Sequence, residues 1–184
     1  SGSSWVSAWT DNIQVDGKME YRIISRRTDN AGLTWSPPQI LYSSDHHISS
    51  LVVRALDNRL VVAADELNKG IFGLTSTDYG RSWQGTGVLP GTSGLSNSGI
   101  SMVLTEGRAH LVWMEQRSEG KLKISTASLD IGKHAWASGV KRLDTKPQDN
   151  TKSLSPVILA TAQGALVSAW VDYRDIRPNI YLAT

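Results

Sequence analysis

Two short stretches place an acidic and a basic residue two positions apart at the end of an apolar run. In one, Glu115 is followed by Arg117, and in the other Asp172 is followed by Arg174. A guanidinium can hold a carboxylate through two parallel hydrogen bonds, and a carboxylic acid can donate a proton or bind sugar hydroxyls. The pattern therefore favours an acidic glycan as a ligand. The alternative is that acid and base pair with each other and cap their loops.

The acids of both pairs belong to a column that recurs along the chain. Four apolar runs align at one position, which is occupied by Trp9, Ala64, Trp113 and Trp170. Two positions later every copy has an acid, namely Asp11, Glu66, Glu115 or Asp172. An acid at the same position in four successive apolar runs indicates a chain built from similar units. The aromatic residues of the column are expected in the core.

The acids and their neighbours are the candidate ligand-binding residues, and no residue is assigned a catalytic role. The candidates are Glu66, Glu115, Arg117, Asp172, Tyr173 and Arg174. Arg177 is a weaker candidate, and Arg54 is expected to lie toward the opposite face. The chain has four histidines, His46, His47, His110 and His134. They show no metal-ligand spacing, so the sequence predicts neither a metal site nor a cofactor.

Short apolar or alternating runs follow one another along the whole chain. Examples are SWVSAW, RLVVAAD and AHLVWME, bounded by Gly, Asn, Asp, Ser or Pro, which is typical of strands rather than helices. Turn formers separate successive runs at 15–18, 56–59, 105–108 and 161–164. The sequence therefore predicts an all-β fold of about fourteen strands, arranged as consecutive antiparallel hairpins.

A second repeat is a turn motif that ends in tryptophan. STDYGRSW (76–83) is the clearest copy, TDNAGLTW (28–35) has Asn30 in the Asp place, and SLDIGKHAW (128–136) is looser. Their tryptophans lie 48 and 53 residues apart. Four strands in a repeat of about 40 to 55 residues are typical of a β-propeller blade.

This turn motif resembles the Asp-box of sialidases and other BNR-repeat β-propellers, and the segments TWSPPQIL and WVDYRDIRPNIYLAT resemble its surroundings in that family. The resemblance implies a propeller of four-stranded antiparallel blades, with each box between the third and fourth strands. It also implies a structural role for the box residues, on the face away from the substrate. Those residues are Thr28, Asn30, Gly32 and Trp35; Ser76, Asp78, Gly80 and Trp83; and Ser128, Asp130, Gly132 and Trp136.

The chain departs from the sialidase pattern where catalysis is concerned. Sialidases of this type hold the sialate carboxylate with three arginines, the first in a Phe-Arg-Ile-Pro stretch, and use a Tyr paired with a Glu as the nucleophile. The single Phe of this chain, Phe72, is not in such a stretch, and no Tyr can be assigned that role. We therefore expect no complete sialidase site in this chain alone.

The predicted organisation is a single propeller domain or fragment over 1–184, with blade units at approximately 1–45, 46–95, 96–150 and 151–184. This is an incomplete ring of about three to three and a half blades, whereas sialidase propellers close with six. An open arc exposes a strand edge and a blade face. The expected partners are therefore the remaining blades of a longer chain, or a second subunit that completes the propeller.

Two functions stay open on this evidence. One is a sialidase-like propeller that binds an acidic glycan, or a degenerate or partial exo-sialidase without independent activity. The other is a non-enzymatic propeller that serves as a protein-binding or assembly scaffold. If Arg117 and Arg174 converge on one pocket, the first function gains support, whereas an ion pair between each arginine and its neighbouring acid favours the second.

Composition narrows the classes of partner. The 184 residues are 40% hydrophobic, and 19 basic and 17 acidic residues are scattered along the chain, so a nucleic-acid partner is not expected. We predict no membrane span and find no signal peptide in the given chain, although the resemblance favours a secreted or cell-surface protein. The absence of Cys excludes disulfides and leaves the redox compartment undetermined.

Overall fold

A computed structural model of the chain describes residues 3–116, 121–145, 152–174 and 177–184. In these ranges the chain forms fifteen strands and no helix, which confirms the all-β prediction. None of the described residues belongs to a helix that could cross a membrane. The strands are β1 (Trp5–Val15), β2 (Lys18–Thr28), β3 (Gln39–Ser44), β4 (Ile48–Leu56), β5 (Arg59–Glu66), β6 (Gly70–Ser76), β7 (Gln84–Val88), β8 (Ser96–Thr105), β9 (Arg108–Gln116), β10 (Leu122–Asp130), β11 (Ala135–Trp136), β12 (Lys141–Arg142), β13 (Ser153–Ala160), β14 (Leu166–Asp172) and β15 (Asn179–Ala183).

The strands form four antiparallel sheets in chain order, which we call blades 1 to 4. They are β1-β2-β3, then β4-β5-β6-β7, then β8-β9-β10 with β11 and β12 both paired to β10, and finally β13-β14-β15. Counting β11 and β12 as two pieces of one outer strand gives the fourteen strands predicted. We name the positions in a blade A to D, so that β5, β9 and β14 are B strands with the A strands β4, β8 and β13 beside them. In blade 1 the B position is held by β1.

The apolar core lies between successive blades. Successive residues of a strand point to opposite faces, so a strand inside a stack of blades contacts a neighbour on each side. In β5, Val61 and Ala63 belong to the core shared with blade 3, while Val62 and Ala64 belong to the core shared with blade 1. This is why β5 is apolar over several consecutive positions instead of alternating.

The aromatic column behaves differently in different blades. Trp113 is 0% exposed and Trp170 is 4% exposed, as the core prediction requires. Trp9 is 37% exposed, so the core prediction is wrong for this residue. Residues of the column face the preceding blade, and among the described residues no blade precedes blade 1. The same sequence position is therefore buried or open depending on what packs against it.

A bulge in strand A accompanies each buried tryptophan of the column. The pairing of β8 with β9 shifts around Gly99, opposite Trp113, and the pairing of β13 with β14 shifts around Ser155, opposite Trp170. Ala64 in blade 2 is paired directly, without a bulge at that place. Gly99 and Ser155 both have a left-handed backbone, with φ of 61° and 52°. Only glycine adopts this conformation without strain.

Replacing Ser155 by glycine is expected to raise the free energy of unfolding by about 0.5–1 kcal/mol, because relief of left-handed strain outweighs the extra entropy of glycine in the unfolded chain. Urea unfolding followed by circular dichroism measures the change. The matched control is Gly99→Ser, which makes the reverse exchange at the equivalent bulge and is expected to be destabilising. A loss of stability in Ser155→Gly would contradict the strain argument.

Candidate functional site

The loops at the two ends of the blades connect different pairs of strands. The turns at 28–35, 76–83 and 128–136, which we call the box turns, all join strand C to strand D. In each box turn the backbone amide of the fourth residue donates to the carbonyl of a residue just before strand B. These hydrogen bonds run from Ala31 to Ser3 at 2.7 Å, from Tyr79 to Asn58 at 3.0 Å and from Ile131 to Gly107 at 3.0 Å. Because neighbouring strands are antiparallel, B strands end at the opposite end of the blade, which we call the acid end.

The box turn at 76–83 uses its carboxylate internally. Asp78 Oδ1 accepts from Ser76 Oγ at 2.7 Å and from the amides of Arg81 and Ser82 at 2.9 Å, and Ser82 Oγ donates to Oδ2 at 2.6 Å. Burial acts to raise the pKa of Asp78, but these hydrogen bonds, led by that of Ser82, lower it to about 2. The carboxylate is therefore committed to holding its own turn.

The turn at 28–35 repeats this arrangement with an amide. Asn30 Oδ1 accepts from Thr28 Oγ1 at 2.7 Å and from the Thr34 amide at 3.0 Å, and Asn30 Nδ2 donates to Thr34 Oγ1 at 2.8 Å. The looser turn at 128–136 has one residue more, and there Asp130 Oδ1 accepts from the Lys133 amide at 3.0 Å. The identification of these turns as Asp-boxes stays a prediction.

The terminal tryptophans of the box turns pack differently. Trp83 Nε1 donates to the carbonyl of Gly80 at 3.2 Å, and the ring packs on the core between blades 1 and 2. Trp136 Nε1 donates to the carbonyl of Gly87 in blade 2 at 3.1 Å, so this ring joins two blades. Trp35 is 39% exposed.

Asp78→Asn is expected to lower the free energy of unfolding only slightly, because Asn30 shows that an amide can make the same bonds. Asp78→Ala is expected to cost about 1–2 kcal/mol, since it leaves the amides of Arg81 and Ser82 without their acceptor. Equilibrium unfolding in urea at neutral pH measures both. Equal losses in the two variants would show that the negative charge matters more than the turn geometry.

At the acid end, Glu66 joins blade 1 to blade 2. Its buried carboxylate accepts from Tyr42 Oη at 2.6 Å and from Ser44 Oγ, both in the outer strand of blade 1, and Lys69 Nζ lies 2.7 Å from Oε1. Burial acts to raise the pKa of Glu66, but the hydrogen bonds, with Lys69 first, lower it. Burial and the bond to Glu66 raise the pKa of Tyr42. The carboxylate stabilises a blade contact.

Asp172 is hydrogen-bonded within blade 4, and Ser153 links it to blade 3. It is 0% exposed and accepts from Ser153 Oγ at 3.3 Å and Trp170 Nε1 at 3.2 Å. Ser153 Oγ also donates to Asp144 at 2.6 Å, just beyond the outer strand of blade 3. Burial acts to raise the pKa of Asp172, but hydrogen bonds from Arg174 and Trp170 lower it to about 2.

Arg174 pairs with its neighbouring acid. Its Nη2 lies 2.8 Å from Asp172 Oδ2, its backbone amide donates to Oδ1 at 2.8 Å, and its guanidinium carbon lies 3.7 Å from the centre of the Tyr181 ring. For this residue the arrangement is the ion pair that favours a scaffold role. The predicted partner in the other pair, Arg117, lies outside the described residues.

Glu115 lies in a recess of about 300 Å³, which we call the cationic recess. Glu115 is 1% exposed and accepts from Ser125 Oγ at 3.2 Å. Two basic side chains line the recess with it, and one of them, Arg142, is paired through Nε with Asp144 Oδ1 at 2.8 Å. The lining residues are Glu115, Lys123, Ser125, Val140 and Arg142. The sequence did not single out Lys123 or Arg142, because each lies on a different strand from the acid and has no fixed spacing to it.

A second recess at the acid end is bounded by the hairpin of β1 and β2. In blade 2 and blade 4 the acid is the last residue of strand B, but β1 continues four residues past Asp11 to Val15. We call the space at the base of this projection, about 240 Å³, the hairpin recess. It is lined by Thr10, Asp11, Asn12, Tyr21, His47 and Ile48. The late turn at 15–18 was the available sequence signal for this longer hairpin.

The hairpin recess combines hydrogen-bonding groups with two aromatic rings. The Tyr21 and His47 rings meet edge to face, with centroids 5.3 Å apart and planes at 83°. The Asn12 amide donates to Asp11 Oδ1 at 2.9 Å, and Arg22, the cross-strand partner of Asp11 in β2, lies close enough to interact with this carboxylate electrostatically. A carboxylate, an amide, a hydroxyl and an imidazole around one space can donate to and accept from a polyhydroxylated ligand.

The remaining predicted residues lie apart from these recesses. Tyr173 is 45% exposed, and its amide donates to the carbonyl of Lys152 at 3.0 Å. His46 Nδ1 lies 2.7 Å from Asp45, and Arg54 Nε donates to the carbonyl of Met102 at 3.1 Å. Within the described ranges no group of three or more His, Cys, Asp or Glu side chains is placed to hold a metal ion.

Comparison with known proteins identifies the fold. No protein-family model and no curated protein sequence matches the chain. Among solved structures it is similar to an α-L-arabinanase of Penicillium chrysogenum complexed with arabinobiose (TM-score 0.60, 13% identity, 97% of this chain and 57% of that one). An α-L-arabinofuranosidase of Fusarium graminearum gives TM-score 0.61 at 11% identity, over 98% of this chain and 59% of that one. A sialidase of Streptococcus pneumoniae gives 0.55 at 16%, over 91% and 30%.

These similar structures are β-propellers of the glycoside-hydrolase type, and the chain has their fold. The sialidase-like propeller that the sequence predicted is thereby confirmed at the level of fold. The chain spans 57%, 59% and 30% of the three proteins named. At identities of 11% to 16% the likeness shows the fold alone.

Proposed function

We propose that this chain is part of a carbohydrate-binding β-propeller and that a sugar residue binds in the hairpin recess at the acid end. The observation that carries the proposal is the projection of the β1–β2 hairpin past Asp11, which gives this end a polar recess with walls. The glycoside-hydrolase type of the similar propellers supports a carbohydrate as the ligand class. Binding residues are commonly held on connections at one end of a rigid scaffold.

The chemistry of the hairpin recess suits hydroxyl groups. The Asp11 carboxylate can accept from neighbouring hydroxyls of a sugar, and Thr10 and Asn12 can both donate and accept. The Tyr21 ring offers an apolar surface for the carbon face of a sugar. Because its one carboxylate repels another, this recess favours an uncharged sugar. The acidic glycan that the Arg–acid pairs favoured would instead need cations, as in the cationic recess with Lys123 and Arg142.

Hydrolysis by this chain alone is not part of the proposal. Glycoside hydrolysis needs two carboxyl groups on either side of the scissile bond, both within reach of the substrate. Glu66, Glu115 and Asp172 are each at most 1% exposed and hydrogen-bonded within the protein. Their charges stabilise contacts in and between blades, which leaves binding as the function that the acid end supports best.

The second candidate is a non-enzymatic scaffold propeller that binds other proteins. The ion pair of Arg174 with Asp172 favours it, because the guanidinium already has a carboxylate partner and lies on the Tyr181 ring. A scaffold would keep the acid–base pairs for stability alone. Under this alternative, substitutions in the hairpin recess would leave any glycan signal unchanged.

A glycan array that contains uncharged arabinose and galactose oligomers and sialosides tests the proposal. We expect binding of the uncharged glycans, and a loss of about tenfold or more in affinity for Asn12→Ala and His47→Ala, since each removes a hydrogen-bonding group from the recess. Thr145→Ala, at a position away from the recess, is the matched control. Selective binding of sialosides with loss in Arg142→Ala would move the site to the cationic recess. No binding to any glycan would overturn the carbohydrate function.

A further inference from the structure

A methionine side chain connects the strand A bulges of blades 3 and 4. Met114 follows Trp113 in β9, so its side chain points to the opposite face of the sheet, toward blade 4. Its Sδ accepts a hydrogen bond from the backbone amide of Ser155, in the bulge of β13, at 3.3 Å. Met114 is half-buried and Ser155 is exposed. The sulfur therefore lies in the joint between two blades and beside an exposed residue.

The same side chain fills the bulge of its own blade. A Cβ added to Gly99, in the bulge of β8, would lie 2.9 Å from Met114 Cε. That distance is shorter than two carbon atoms in contact allow, so the methyl group occupies the space that the glycine leaves open. Met114 thus has its methyl group against blade 3 and its sulfur against blade 4. A second hydrogen bond, from the Ile158 amide to Ser101 Oγ at 3.2 Å, joins the same two A strands.

This contact depends on the sulfur being a thioether. A thioether is apolar, fits irregular spaces and accepts hydrogen bonds only weakly. A sulfoxide is polar and chiral, and its oxygen needs water or a hydrogen-bond donor. The Met114 side chain is confined by Gly99 at its methyl group and by the Ser155 amide at its sulfur. An oxygen atom added to the sulfur is therefore expected to disturb both contacts.

We propose that Met114 is an oxidation-sensitive site, at which a hydroperoxide converts the thioether to the sulfoxide and loosens the joint between blades 3 and 4. The sulfur attacks the terminal oxygen of the hydroperoxide. An S–O bond forms while the O–O bond breaks, and the other oxygen leaves with the proton as water or an alcohol. The sulfur loses the two electrons that the peroxide gains. A thiol-dependent methionine sulfoxide reductase restores such a thioether, so the change is reversible.

The other two methionines of the chain are internal references for this site. Met19 is 41% exposed in the hairpin of β1 and β2, so it should be oxidised first and without effect on stability. Met102 is 1% exposed in the core and should be oxidised only when the chain unfolds. Met114 is expected to react between these two. The proposal does not rest on glycan binding, since its measurements are of oxidation and unfolding.

The test treats the chain with hydrogen peroxide in steps, and peptide mass spectrometry reports the oxidation of each methionine. Urea unfolding followed by circular dichroism measures the stability of each sample. We expect oxidation of Met114 to raise the equilibrium constant for unfolding about tenfold or more, because a hydrogen bond and apolar contacts are lost. In the same samples the Ser155 amide should exchange faster with solvent, as followed by NMR. Methionine sulfoxide reductase with a thiol should reverse both changes.

Three variants make the outcome decisive. Met114→Leu keeps the volume without the sulfur, so peroxide should no longer lower its stability. Met114→Gln places a polar oxygen near the position of the sulfoxide and should be destabilised without any oxidant. Met19→Leu is the matched control and should keep the sensitivity of the wild type. Oxidation of Met114 without loss of stability overturns the proposal, as does equal sensitivity in Met114→Leu. Oxidation of Met114 only after unfolding overturns it too.

Discussion

Trp113→Ala is expected to lower the free energy of unfolding by about 3–5 kcal/mol, one of the two largest effects expected for this chain. The indole is 0% exposed in the core between blades 2 and 3. Its removal loses the transfer free energy of a large aromatic side chain and leaves a cavity that a stack of sheets cannot easily close. Urea unfolding followed by circular dichroism measures the loss.

Trp9→Ala is the matched control, because it removes the same side chain from the same position of the repeat. With 37% of its surface exposed and its face turned away from blade 2, Trp9 leaves no enclosed cavity when it is removed, and Trp9→Ala is expected to cost only about 2 kcal/mol. Similar losses in the two variants would contradict the assignment of the Trp9 face as open.

Asp172→Ala is the second large effect, with an expected loss of about 3–5 kcal/mol. The substitution leaves the guanidinium of Arg174 without its carboxylate and removes the acceptor of Trp170 Nε1. Asp172→Asn keeps an acceptor oxygen and should lose less. Thermal and urea unfolding of both variants test this, with Glu106→Ala in an exposed turn as the control, expected within about 0.5 kcal/mol of wild type.

A double substitution separates the pair from its parts. Asp172→Ala combined with Arg174→Leu removes both charges, so no partly buried cation is left without its carboxylate, and part of the stability should return. If the double variant loses as much free energy of unfolding as the two single variants lose together, the ion pair is not the cause of the loss.

The same ion pair predicts how stability depends on pH. The pKa of Asp172 is lowered to about 2 in the folded chain, against about 3.9 for an unfolded aspartate. A lowered pKa means that the carboxylate stabilises the fold above about pH 4, and that this contribution is lost as the pH falls toward 2. Asp78, with a pKa of about 2, acts in the same window. Wild type should therefore lose more stability than Asp172→Ala between pH 5 and about 2.

Local features of the fold were predictable because their causes are local. Alternating apolar residues and turn formers specified the hairpins, including the turns at 56–59 and 105–108. The box turn at 76–83 is held by bonds among Ser76, Asp78 and Ser82, all within one octapeptide. Interactions that span so few residues leave a readable pattern in the sequence.

The candidate site was predictable only in part. The acid column was found because each acid stands at the same position after an apolar run. Its members nevertheless bind to different partners. Glu66 binds to the outer strand of blade 1, whereas Asp172 binds to Ser153 and Arg174. The hairpin recess was not foreseen, because Asn12 and Tyr21 come from one hairpin, His47 comes from the connection to the next blade, and the three have no regular spacing. Contacts between blades depend on which faces meet, and no short-range pattern encodes that.

The sequence by itself determined the strands, their hairpin order, the repeat of blades and the internal bonding of the box turns, since each follows from residues a few positions apart. Only the tertiary structure decided that Trp113 is buried while Trp9 is open, and that Asp172 holds Arg174 instead of leaving it for a ligand. The physical reason is that burial and pairing belong to the space between blades, where neighbours distant in sequence determine the solvent exposure and charge partners of each residue.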